Sequence, residues 1–363
     1  QPLLDRLDLL FDAAERQNLY VILSFFNPER LATNWDSSPY NKAKGGKHDT
    51  LADWFTNETQ LAKAVQRVQQ LIERYKNRNI LCWEIGKGTN VWELSKRPNY
   101  ALLNGVSFWV IRIANFIKKT DDQHHLIALS FVANSYPDTL LGLPQIQLHF
   151  VEVQAKDVLL AAESVSPYLN SIRSHYKKPI FISDFTWNGD RGSRNAFLYN
   201  LVWSSFASCS SVFLSPVQIQ NRLWISDEDL SLFQTVHSIQ QDIDLSGVPR
   251  EIVAPVESSP KGSYCTAESI LGLNRVVWIL RKQPANAKVQ LKFNTIEGQY
   301  HLQWFDPDSG AKSSIHNFNL FRKYISVESP EFERSILGLM VLDKRAPQKE
   351  KPPTLNPAVD THQ

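Results

Sequence analysis

The sequence predicts an α/β domain built on parallel strands, followed by a small antiparallel β-domain. Early in the chain, segments with apolar residues at helical spacing alternate with short apolar runs typical of buried strands. Beyond a linking helix at 230–243, only strand-like runs remain, separated by turns that contain Gly, Pro and Asp. This change of pattern predicts domains at 1–246 and 247–344, with a disordered Pro-rich tail at 345–363.

The individual elements follow from local patterns in chain order. Leu3 and Leu7 begin a helical repeat that leads into the first strand, and a long aromatic-rich loop at 27–57 precedes a helix with an inward face from Leu61 to Ile72. Further helices are predicted at 100–119, 161–175 and 195–207. The predicted strands cover 20–25, 80–83, 125–131, 145–151, 179–185 and 211–216, then 276–280, 289–293, 300–305 and 337–342.

Composition argues against several classes of partner and cofactor. The 363 residues carry 39 Lys and Arg against 37 Asp and Glu, so we expect neither nucleic acid nor a membrane surface as the main partner. No apolar run approaches the ~18 residues of a membrane span. His124, His125 and His149 lack the spacing of metal ligands, and no Gly-rich phosphate loop is present, so no metal or cofactor is expected. The oligomeric state is left open.

Residues 74–90, with the sequence RYKNRNILCWEIGKGTN, contain the best candidate for a functional site. A polar helix end and a turn precede the apolar run 80–83, which predicts a buried parallel strand. Glu84 and Lys87 follow where that strand ends. Parallel α/β folds place their ligands at the carboxyl ends of their strands, so a site is predicted here.

This stretch resembles the clan A glycoside hydrolases, especially the cellulase and mannanase relatives of family 5. In that family a helix ending in Arg-Tyr precedes a strand reading Trp-Glu-x-x-Asn-Glu, whose last Glu is the catalytic acid/base. Here Trp83-Glu84-Ile85-Gly86-Lys87-Gly88 keeps the frame, with Lys87 at the Asn position and Gly88 at the acid/base position. The resemblance implies a TIM (β/α)8 barrel whose strands three to eight are the six predicted here. Either the first two strands lie upstream of Gln1, which we favour, or the domain is an open variant of the barrel.

Other segments resemble the same family in the expected order. The stretch 35–56, which includes Trp35, Tyr40 and Trp54, resembles a substrate-cleft loop, and 300–310 resembles an element of the β-sandwich that often follows such barrels. The resemblance implies a polysaccharide or oligosaccharide partner and a secreted or extracytoplasmic location. It also implies a cleft formed by Trp35, Tyr40, Trp54, Glu84, Lys87, His149, Phe150 and Trp187.

The expected chemistry depends on two carboxyl groups, which retaining glycosidases hold about 5–5.5 Å apart. Asp184 stands at the position of the nucleophilic Glu, where the shorter side chain withdraws the oxygen by about 1.5 Å, and a misplacement near 1 Å can cost about a hundredfold in rate. Loss of the acid at Gly88 costs roughly 10²–10⁴-fold more. Phe150 replaces the Tyr that orients the nucleophile, and 213–216 lacks the family's Trp.

Three hypotheses follow from these substitutions, and they leave open whether the chain is an enzyme. The first is a catalytically impaired glycoside hydrolase-like protein that binds a β-linked polysaccharide. The second is an active retaining hydrolase that uses Asp184 and a relocated acid; the candidates for that acid are Glu93, Glu152, Asp190 and, more weakly, Glu84. The third is a non-catalytic structural or assembly protein. An ion pair between Lys87 and Asp184 across the former active site is a further hypothesis.

Overall fold

The computed structural model describes residues 2–88, 99–132, 138–155, 169, 171–172, 175–187, 191–207, 211–212, 227–242, 250–251, 257–259, 264–271, 274–281, 288–294, 297–320 and 324–345. Glu93, Asp190, the 213–216 stretch and the predicted tail beyond residue 345 lie outside the described residues.

Six parallel strands form one sheet in which spatial order follows chain order. They are β1 (Val21–Phe26), β2 (Ile80–Gly86), β3 (Leu126–Val132), β4 (Leu148–Ala155), β5 (Ile180–Trp187) and β6 (Ser211–Val212). Parallel neighbours in simple chain order are the arrangement that repeated crossover helices produce. The predicted fold class is confirmed as a TIM-type α/β domain that carries six barrel strands in this chain.

Helices connect and cover these strands. They are α1 (Pro2–Arg16), α2 (Pro28–Thr33), α3 (Leu51–Thr56), α4 (Glu58–Tyr75), α5 (Tyr100–Thr120), α6 (Asp138–Leu141), α7 (Arg191–Ala207) and α8 (Asp227–Asp242). The main core lies between α4, α5 and the helix-facing side of β1 and β2. In it, Trp83 stacks on Phe25 with ring centroids 5.4 Å apart, and its indole N–H donates to Asp121 at 2.9 Å.

The segment 27–57, predicted as a loop, is partly helical. Asn27 accepts a hydrogen bond from the Arg30 N–H at 2.8 Å and so caps α2. Thr50 and Asp53 form a reciprocal capping box at the start of α3. These short polar caps fix the ends of one-turn and two-turn helices, which are too short to show a hydrophobic period in the sequence.

Helix α5 is long and apolar enough to cross a membrane by length and composition alone. In this fold it is a core helix, because Leu102, Val106, Trp109, Ile113 and Ile117 on its inner face are buried.

The second region is antiparallel. One sheet has the order β13-β12-β15-β10-β9-β7 and another has the order β14-β11-β8. The strands are β7 (Arg250–Glu251), β8 (Glu257–Ser259), β9 (Tyr264–Leu271), β10 (Asn274–Arg281), β11 (Gln290–Asn294), β12 (Gly298–Phe305), β13 (His316–Leu320), β14 (Tyr324–Glu328) and β15 (Ser335–Arg345). This agrees with the predicted small all-β domain, while the domain boundaries stay predictions.

Several predicted element limits were wrong. Strand β4 begins three residues later than expected, at Leu148, because the backbone and side chain of Gln147 instead bond to Ile127 ahead of the strand. Five strands of the second region (β7, β8, β9, β13 and β14) were not predicted. Segments such as HNFNL carry too few apolar residues for a strand period and pair only because neighbouring strands offer free edges.

Helix α7 packs on the antiparallel region through Tyr199. Its hydroxyl group lies 2.7 Å from the Ser335 Oγ, and the guanidinium of Arg334 lies 3.6 Å from the centre of its ring. Tyr199 is 6% exposed, and together with Arg334 and Asp308 it lines a cavity of about 770 Å³ between α7, α8 and the antiparallel region.

Candidate functional site

Two glutamates on β2 and β4, Glu84 and Glu152, interact in the interior of the α/β domain. Each is 7% exposed. The Ser130 hydroxyl on β3 donates to Glu152 Oε1 at 2.9 Å, which holds that carboxylate in place. Alternate residues of these strands, such as Phe150 and Cys82, share the same interior side. The interior therefore contains a buried carboxylate pair.

The environment of Glu84 shifts its ionisation toward the protonated form. Desolvation by burial is the main cause that raises its pKa to about 7, and the negative charge of Glu152 acts in the same direction. A hydrogen bond to Ser24 and the positive charge of Lys87 oppose this shift. Lys87 therefore lies close enough to act electrostatically on Glu84, as expected for charged groups at the end of β2.

Asp184 lies beside Glu152 in the sheet. The two residues are register partners of β4 and β5, next to a register shift between Val151 and Glu152. The structure describes the backbone of Asp184 and Trp187 as part of β5, but not their side chains. The nucleophile position, the ion pair of Asp184 with Lys87, and the cleft role of Trp187 remain predictions.

Gly88 follows β2 in a left-handed backbone conformation, with φ of +64°. The direction in which a Cβ atom would project is filled by Glu29 of α2, whose Cβ would lie 2.7 Å and whose Oε2 would lie 2.8 Å away. The backbone N–H of Lys87 donates to the Phe26 carbonyl at 3.1 Å, which keeps the two chain segments side by side. This position therefore has space only for a glycine, and the Glu29 carboxylate from α2, the helix that follows β1, lies next to it.

The aromatic residues of segment 35–56 are divided between two places. Tyr40, which is 40% exposed, and Trp54 line a pocket of about 260 Å³, with ring centroids 5.8 Å apart. Gln60, Lys63 and Arg67 of α4 supply polar groups to the same pocket. The pocket lies against Phe26 and the helices, on the outer side of β1, and Glu84 and Glu152 are not among its lining residues.

Trp35 does not line this pocket. It is partly buried against the main core, and its carbonyl accepts a hydrogen bond from Asn41 Nδ2 at 3.1 Å. Trp35 thus helps to hold the segment that contains Tyr40 against the main core.

His149 lies outside the expected cleft. Its side chain has no exposed surface and faces Phe131 and Tyr176 on the helix side of β4. Burial, followed by the charge of Lys178, lowers its pKa to about 3. Period two along a strand places Phe150 on the opposite side, in the interior. A fully buried imidazole cannot contact a polysaccharide, so His149 is not part of a binding surface, contrary to the prediction.

The described residues contain no group of three or more His, Cys, Asp or Glu that could hold a metal ion.

Comparisons with known proteins place this geometry in context. No family model matches the chain. Mannan endo-1,4-beta-mannosidase F of Aspergillus clavatus is 28% identical over 126 residues, which are 33% of this chain and 25% of that protein, so the chain spans about a quarter of the length of this curated relative.

Two solved structures match nearly the whole chain. A glycoside hydrolase has a TM-score of 0.62 at 11% identity, covering 93% of this chain and 77% of the other. A family 5 glycoside hydrolase from Bacteroides vulgatus has a TM-score of 0.60 at 12% identity, covering 92% and 73%. The fold is that of a family 5-like glycoside hydrolase. At 11–12% identity this likeness shows only the fold, and the chemistry of this glycoside hydrolase fold depends on the residues present in the chain.

The sequence alone did not suggest Glu29 or Ser130 as site residues. Glu29 stands in the first turn of α2, and Ser130 lies within an apolar strand, LIALSFV. A lone polar residue in a buried strand is a usable signal for Ser130, because buried hydroxyl groups require a partner. No local signal identifies Glu29, because only the pairing of β1 with β2 brings it to Gly88.

Proposed function

We propose that this chain is a glycoside hydrolase-like protein that binds a β-linked polysaccharide and hydrolyses it with impaired efficiency. The observation that carries the proposal is the conformation and surroundings of Gly88, at the position we assign to the catalytic acid/base. A β-mannan is the first substrate to test, because the curated relative is a mannan endo-1,4-beta-mannosidase.

The impairment follows from the backbone as well as from the residue type. A left-handed conformation disfavours any side chain by about 1–2 kcal/mol, and the place of the Cβ atom is already filled by Glu29. A general acid contributes typically 10²–10⁴-fold to such a reaction. A protein that binds the polysaccharide without this acid at position 88 would therefore turn it over slowly.

The pocket of Tyr40 and Trp54 supports the binding part of the proposal. Aromatic rings offer apolar faces on which sugar rings can pack, and amide and cationic side chains at the rim can bond to hydroxyl groups. Tyr40 and Trp54 provide such faces, and Gln60 and Lys63 provide such polar groups. The half-exposed Tyr40 ring is the part of this surface that is most open to solvent among the lining aromatics.

The test is retardation of the purified 363-residue chain in native gels that contain β-mannan, β-glucan or xylan. Tyr40→Ala should weaken retardation by the binding polysaccharide. Tyr100→Ala is the matched control, because Tyr100 is 71% exposed at the start of α5, away from the pocket. Equal retardation of both variants and the parent chain would contradict binding at this pocket, and absence of retardation in all three gels would contradict the proposed function.

A further inference from the structure

We propose that the carboxyl group of Glu29 has taken over the role of the missing acid at position 88 and donates the proton in the residual hydrolysis. This inference rests on the proposed function and adds the identity of the proton donor to it. Glu29 would then be the relocated acid, because residue 88 is a glycine and has no side chain.

The distances around Gly88 place the Glu29 carboxyl group next to the point where a side chain at residue 88 would begin. A glutamate holds its carboxyl carbon two C–C bonds beyond Cβ, about 2.5 Å away. The carboxyl carbon of Glu29 lies 3.4 Å and its Oε2 lies 2.8 Å from the Cβ position of residue 88. The Glu29 carboxyl carbon is therefore about 1 Å farther from this Cβ position than the carboxyl carbon of a glutamate at residue 88 would be.

Local structure holds Glu29 in this place. It follows Pro28 in the first turn of α2, whose start is fixed by the Asn27 cap. The hydrogen bond from Lys87 to Phe26 joins the end of β2 to the residue that leads into this helix. Glu29 itself is half-buried, so its carboxyl is restrained by the protein and remains open to solvent and substrate.

The other described carboxylates of this region are less suited to the role. Glu84 lies within β2, four residues before Gly88, and is 7% exposed. Glu152 accepts a hydrogen bond from Ser130 and is equally buried. Neither position would present a proton to a glycosidic oxygen at the strand ends.

The proposed step balances with water as the co-reactant. As the bond between the anomeric carbon and the glycosidic oxygen breaks, the Glu29 proton passes to that oxygen and Asp184, in its proposed role, forms a glycosyl ester. Water then attacks the anomeric carbon, its proton returns to the Glu29 carboxylate, and the Asp184 ester is released as carboxylate. One water is consumed for each bond broken.

The test compares Glu29→Gln with Glu58→Gln. Glu58 is the matched control, because it also lies in the first turn of a helix that is capped by an Asn, and its side chain is 69% exposed. Two substrates separate proton donation from a structural effect. A dinitrophenyl β-mannoside has a leaving group that departs without protonation, whereas β-mannan requires it.

We expect Glu29→Gln to lower sugar release from β-mannan by roughly 10²–10⁴-fold while changing release of dinitrophenolate by only a few fold. Glu58→Gln should change neither rate. Unchanged mannan release in Glu29→Gln, or an equal loss on both substrates, would overturn the inference. If the parent chain is retarded by mannan but releases nothing from either substrate, the inference fails and the proposed binding function stands; if retardation is also absent, both fail.

Discussion

Replacing Glu84 by Gln should make stability less dependent on pH. The folded state raises the pKa of Glu84 from 4.5 to about 7, mainly by desolvation. A carboxyl group whose pKa is raised on folding stabilises the protein most fully below its unfolded pKa, and this contribution is lost as the pH rises through the folded pKa. Glutamine is neutral at every pH and has no such loss.

The magnitude follows from the size of the shift. Because a tenfold change in an acid dissociation constant corresponds to about 1.36 kcal/mol, raising the pKa from 4.5 to about 7 costs the parent about 3 kcal/mol once the pH exceeds 7. Most of this change falls between pH 5 and pH 8. The free energy of unfolding of Glu84→Gln relative to the parent should therefore be about 2–3 kcal/mol more favourable at pH 8 than at pH 5.

The assay is urea unfolding of both proteins at pH 5 and pH 8, followed by tryptophan fluorescence. Glu73→Gln is the control, because Glu73 is exposed on α4 and a change there should give the same difference at both pH values. If the difference between Glu84→Gln and the parent were the same at pH 5 and pH 8, or larger at pH 5, then burial would not be raising the pKa of Glu84 and the argument would be refuted.

Two further predictions concern the end of β2 and its packing. Gly88→Glu should not restore mannan turnover and should destabilise the fold by at least about 1–2 kcal/mol, because the backbone is left-handed and Glu29 fills the space of the new Cβ; a restored rate in the sugar-release assay would contradict this. Trp83→Phe should lower the free energy of unfolding by about 2–3 kcal/mol, because it removes the bond to Asp121 and part of the stack on Phe25. Trp109→Phe serves as the comparison in urea unfolding, because Trp109 is equally buried but its indole N–H has no hydrogen-bond partner among the described residues; an equal cost for both variants would count against the role assigned to the Trp83 bond.

The sequence by itself determined the class of the fold. Apolar runs such as ILCW, followed at once by charged residues, predict buried parallel strands, because a strand covered on both sides by helices has no polar face. The order of motifs led to the same architecture that the solved glycoside hydrolases show. The substitution at Gly88 was also visible in the sequence, because the frame of the Trp-Glu motif fixes the position and the residue type there is read directly.

The tertiary structure decided which side chains meet. Sequence reasoning put His149 in the cleft, but the pleat of β4 turns it to the helix side and turns Phe150 inward. The contact between Glu29 and Gly88 joins residues 59 positions apart, and no local pattern encodes it because it arises from the pairing of β1 with β2. The raised pKa of Glu84 likewise depends on burial and on Glu152 two strands away. A sequence can list the carboxylates of a site, but their distances and charge states are set by the packing that surrounds them.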